Sequence, residues 1–195
     1  MLKVEYIKGA ASRGYLRIGI SDDGERTSYT VSEAAYRSIG EPRAADILTR
    51  DSLEAIKMGD TEYRARIYAL RILAYADNSE RRLVEKLVGR GISRDVAMRT
   101  AEEMVSLGYI NIARQLDTLV RAEVNIRFSG PGKLIPKLRA RGYDSGEILK
   151  AITRLRDSGE IDFEEAKRRL IESKGVDPDD EESVKKILYR NGHKI

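Results

Sequence analysis

The chain has 195 residues, 41% hydrophobic and 35% charged, with 36 Lys/Arg against 32 Asp/Glu and a net charge of +4. That length suits one large domain or two small ones, and the absence of cysteine excludes disulfides, thiolate catalysis and cysteine-based zinc sites. No apolar run approaches the roughly 18 residues of a membrane span, and the start, MLKVEYIKG, carries no apolar leader, so the expectation is a cytosolic protein whose core is aliphatic plus tyrosine.

The first thirty residues read as strands. Leu2, Val4 and Tyr6 alternate along one expected strand, and Leu16, Ile18 and Ile20 along a second. Asp23-Gly24 between the second strand and TSYTV is a hairpin signal, so a small antiparallel sheet is expected. Ser32 is placed to cap a short helix that Gly40 ends. Residues 44–58 read as another short helix, stopping before Gly59-Asp60. From Asp60 the period changes to 3.6, with Tyr63, Ile67, Leu70, Leu73 and Ala74 on one stripe.

From there the pattern repeats. RRLVEKLVGRGIS (81–93) aligns with GKLIPKLRARGYD (132–144) at an offset of 51 residues without a gap. Leu83 falls on Leu134, Leu87 on Leu138, Lys86 on Lys137, Arg90 on Arg141 and Gly91 on Gly142. The next helices match as well, Ala97 with Ile148, Met104 with Leu155 and Gly108 with Gly159. Each unit reads as three helices separated by two glycine turns, because one amphipathic helix cannot bury its stripe alone. A third copy opens with SVKKILYRNGH at an offset of 50, Val184 on Leu134 and Gly192 on Gly142. The expected fold class is therefore mainly α, tandem three-helix repeats of about 50 residues with the third incomplete, after a small antiparallel β segment. The expected boundaries are 1–59, 60–128, 129–178 and 179–195.

Asp144 and Asp162 open helices in capping-box patterns with Glu147 and Glu165. SGPGKL (129–134) invites comparison with a phosphate loop. Such a loop needs GxxxxGK followed by Ser or Thr, after a strand. Here Arg127 stands at the first glycine position, Leu134 follows Lys133, and a helix precedes. A helix start fits better, with Ser129 as a cap and Pro131 in the first turn; Pro136 leaves that turn irregular. His193, the sole histidine, reads as a surface residue at an unfinished turn rather than a base or ligand. The acidic pairs read as solvated helix faces, and no catalytic, cofactor-binding or metal-binding set is expected.

The charge excess lies beyond residue 59: residues 1–59 carry nine basic and nine acidic side chains, and the rest 27 and 23. Arg81, Arg82, Lys86 and Arg90 lie on the polar side of one helix. Lys133, Lys137 and Arg141 lie at i, i+4 and i+8 on its counterpart, with Arg139 off that stripe. Recurrence at matched positions marks these as candidate partner-binding residues, for phosphates or for carboxylates on a protein. Aromatic residues interleave little with them, so base stacking is not signalled.

These units, SERRLVEKLVGRGIS … AEEMVSLGYI and GPGKLIPKLRARGYD … AITRLRDSGEID, resemble the RecX family of recombination regulators. In that family a Gly-Pro pair opens the second repeat's first helix, here Gly130-Pro131. A basic residue precedes a Gly-aliphatic or Gly-aromatic step, here Arg90-Gly91-Ile92 and Arg141-Gly142-Tyr143. The resemblance covers nearly the whole chain and rests on the order and spacing of these features. It implies a cytosolic, non-enzymatic modulator that binds RecA and its filament on single-stranded DNA, without cofactor or membrane, and that suppresses ATP hydrolysis and strand exchange, although some members act positively; a monomer is expected. A helical module that binds DNA or RNA directly is the alternative. Two departures stand out. Asn111-Ile112 replaces a frequent acidic pair, and the third unit stops after one helix, which predicts an apolar face on 181–191 that is exposed or docked elsewhere.

Overall fold

The computed structural model describes residues 1–194. Three strands, β1 (Lys3–Gly9), β2 (Tyr15–Asp22) and β3 (Glu25–Ser32), form an antiparallel sheet in that order. Asp23 and Gly24 both have positive φ, the two-residue turn whose twist matches a hairpin. The expected β1 face is corrected. Pairing shifts between Val4 and Tyr6, so Glu5 is an extra residue and the alternation changes side. Val4 and Ile7 join the core with Ile18 and Ile20, whereas Tyr6 turns outward and its ring covers Gly19, where a Cβ would lie 2.3 Å away.

Ser32 Oγ accepts from Ala35 N (3.1 Å) and opens α1 (Glu33–Ser38). Next comes α2 (Arg50–Tyr75), 26 residues without interruption. The break expected at Gly59-Asp60 does not occur. A Cβ on Gly59 would meet Val31 at 3.0 Å, so the glycine lets helix and sheet approach, and Asp60 Oδ1 accepts from Thr30 N at 2.8 Å. The expected stripe on this helix is also revised. Ala65 and Ala69 are fully buried, Tyr63, Ile67, Leu70 and Leu73 only partly, and Ala74 is exposed. Two small side chains take the closest contacts and the larger ones flank them.

Seven helices follow among the described residues: α3 (Glu80–Val88), α4 (Arg94–Ser106), α5 (Ile112–Arg121), α6 (Pro131–Ala140), α7 (Ser145–Asp157), α8 (Phe163–Lys174) and α9 (Glu181–Arg190). A π-helical turn, Ala122–Ile126, extends α5. Positive-φ glycines 91, 108, 142, 159 and 192 mark the turns after α3, α4, α6, α7 and α9. Asn111, Asp144 and Asp162 cap α5, α7 and α8 through their side chains.

The chain divides into two compact units, Met1–Tyr75 with Leu83–Glu103, and Ala76–Arg82 with Met104–Ile195. In the first, the sheet packs on α2 around Ile18, Val31 and Ile56. Glu62 pairs with Arg99 (2.8 Å) and Arg66 with Glu103. In the second, Leu116, Val120, Leu134, Leu138, Ile148 and Leu155 form a continuous core. Tyr143 closes one edge, its hydroxyl donating to Gln115 Oε1 at 2.9 Å, and burial raises its pKa.

Candidate interaction surfaces

The stretch Ser129–Lys133 is a docking seat for the chain's own final turn. Gly130, not Ser129, is the N-cap of α6, with Pro131 at its first position. Gly130 N donates to Asn191 O (2.8 Å) and Gly132 N to Gly192 O (2.9 Å). A Cβ on Gly130 would lie 2.3 Å from Gly192 O, and one on Gly192 2.2 Å from Lys133 N. Both glycines are required because two backbones touch there. Lys133 Nζ donates to Asn191 Oδ1 at 3.0 Å. The surface position expected for His193 is wrong: the residue is 4% exposed, and Nε2 lies 2.9 Å from Phe128 O. That carbonyl only accepts, so Nε2 carries the proton. Leu188 is buried as well, which docks the apolar face expected on 181–191.

A related contact joins α6 to the start of α3 within the second unit. Ser79 Oγ donates to Arg141 O (2.7 Å) and Arg82 Nη2 to Ala140 O (3.4 Å). A Cβ on Gly142 would lie 2.7 Å from Ser79 Oγ and 3.0 Å from the Arg81 Cβ. Helices α3, α6 and α9 begin at residues 80, 131 and 181, and the Arg141–Gly142 turn meets Ser79–Arg82 much as Asn191–His193 meets Gly130–Lys133.

Glu123 explains why Ser129 does not cap. Its carboxylate is 1% exposed, accepts from Lys137 Nζ at 2.7 Å and from Ser129 Oγ at 3.3 Å, and pairs with Arg127. Burial alone would raise its pKa, but hydrogen bonds from Lys137 and Arg127 outweigh that and hold it below the ordinary carboxylate value. Lys137 therefore faces an internal acid, unlike the exposed Lys133 and Arg139 on the same helix. Arg81 and Arg139 line an open cleft of about 520 Å³ with Tyr143 and Asp144. Arg141 is half-buried.

In the first unit, Lys86 and Arg90 line a groove of about 330 Å³ with Arg71, Ile72 and Tyr75 of α2. The Arg90 guanidinium lies 5.7 Å from the centre of the Tyr68 ring. Arg71, Tyr68 and Tyr75 lie outside the candidate set that recurrence of basic residues marks. Their signal was the spacing Arg64, Tyr68, Arg71, Tyr75, which puts four side chains on one helical face. Among the described residues, no three His, Asp or Glu side chains gather as a metal site, and no helix is long and apolar enough to cross a membrane.

No family model matches the chain. A Regulatory protein RecX from Stenotrophomonas maltophilia is 32% identical over 103 residues, which is 53% of this chain and 60% of that one. One from Halorhodospira halophila is 29% identical over 129 residues, 64% of this chain and 77% of the relative. The chain thus spans less than two thirds of the first relative's length. A crystal structure of regulatory protein RecX superposes with a TM-score of 0.74 and 20% identity, covering 100% of this chain and 95% of the other. In sequence over part of its length, and in its mainly helical fold with an N-terminal three-stranded sheet, the chain is similar to proteins named regulatory protein RecX.

Proposed function

We propose that the chain is a regulator of RecA that binds the recombinase filament on single-stranded DNA and lowers its ATP hydrolysis and strand exchange. The observation that carries this reading is the match to proteins named regulatory protein RecX, in sequence and in fold. The cations on α3 and α6 support it, since a nucleoprotein filament is a strongly acidic partner. The test is RecA-catalysed ATP hydrolysis on single-stranded DNA, titrated with the protein. Hydrolysis is expected to fall, and the fall to weaken in a charge-reversed variant at Lys86, Arg90, Lys133 and Arg139. Lys137 is left out because an acid there would face buried Glu123. Unchanged hydrolysis at every ratio would rule the reading out.

The arginine–tyrosine groove of the first unit favours a second reading, direct binding of nucleic acid without RecA. It calls for affinity that falls steeply with salt.

A further inference from the structure

The face of α2 that carries Arg64, Tyr68, Arg71 and Tyr75 has a composition that the regulatory reading does not require. The four positions are spaced four, three and four residues apart, so cation and ring alternate along about 16 Å of helix. Arg64 and Arg71 are exposed, and Tyr75 is 94% exposed. A phenol ring so open to water does no packing work in the fold. Its neighbours across the groove are Lys86 and Arg90. Tyr68 lies under Arg90, which holds that guanidinium beside the stripe.

From this placement we infer that the Arg64–Tyr75 face of α2, with Lys86 and Arg90, is a contact site for single-stranded nucleic acid, in which Tyr75 stacks on a base and the cations take the adjoining phosphates. Rings and cations in alternation suit a strand that presents bases and phosphates in alternation. An acidic peptide would use the four cations and leave the Tyr75 ring without a role. The inference deepens the second reading above, direct binding of nucleic acid, and needs no RecA, so it can fail while the RecA reading stands.

The chain has no tryptophan, so Tyr75→Trp places a single indole in the site. The full chain carrying Tyr75→Trp is titrated with an oligothymidine and, in parallel, with polyglutamate of equal charge. The oligothymidine is expected to quench the indole, with a log–log salt slope of roughly 3 for four cations on a single strand. Tyr75→Ala in the otherwise native chain is expected to weaken oligothymidine binding roughly tenfold, and Tyr75→Phe to retain it. Tyr109→Ala, outside the groove, serves as the control and should bind as the parent does. Equal or stronger quenching by polyglutamate would overturn the inference in favour of an acidic protein partner. Absent oligothymidine binding, or Tyr75→Ala binding like the parent, would overturn it as well. RecA hydrolysis measured on the same preparations reports separately on the regulatory reading.

Discussion

Glu123 is the side chain on which the second unit's linker turns. It joins the π-helical turn to Arg127, Ser129 and Lys137, so one carboxylate ties together three points of the chain. A buried acid with only one of these cations would be costly, and the shared pair makes the charge tolerable. Because the folded-state pKa is lowered, the stabilisation is complete above the unfolded value and is lost as pH falls through the folded one. Urea unfolding is therefore expected to show stability falling from about pH 5 to about pH 3, with the fall blunted in Glu123→Gln. At neutral pH that variant should lose about 1–2 kcal/mol, a figure kept low because Arg127 and Lys137 remain partly solvated. Equal pH profiles for the two proteins would show that Glu123 is not the titrating group.

At the scale of elements, the glycine turns divide into two kinds. Gly91 has positive φ with open space around it, so Gly91→Ala meets only backbone strain, about 1 kcal/mol. Gly192 also touches the backbone of Lys133, so Gly192→Ala must displace the final turn from α6. It is expected to cost roughly 2–4 kcal/mol in urea unfolding and to expose His193. Similar losses at the two positions would mean that the docked turn adds little. Helix starts and ends were legible in the sequence because caps and glycines act locally: Ser32, Asp144 and Asp162 cap where their patterns place them. What could not be read depends on partners distant in sequence. Gly59 looks like a helix break until Val31 is seen against it, and Ser129 looks like a cap until Glu123 takes its hydroxyl. His193 looks exposed until the Phe128 carbonyl meets its ring. The Glu5 bulge moved Tyr6 off its expected face by a shift that hydrophobic alternation does not encode.

For the molecule as a whole, the candidate cations fall into distinct roles. Lys137 is tied to Glu123, Lys133 to Asn191, and Arg141 offers its carbonyl to Ser79. Lys86 and Arg90 border the groove with Tyr75, and Arg81 and Arg139 border the open cleft of the second unit. The recurrence of basic residues at 86/137 and 90/141 is thus recurrence of residue type with divergent surroundings, and only the structure separates them. The central claim is that this chain acts on the RecA filament rather than on DNA alone. Its most direct test is the binding of the labelled chain to RecA filaments assembled on single-stranded DNA, compared with the same DNA free of RecA. Saturable binding that is tighter on the filament, and weakened by charge reversal at Lys86, Arg90, Lys133 and Arg139, is the expected result. Binding to the filament that is absent, or no tighter than to the bare strand, would contradict it.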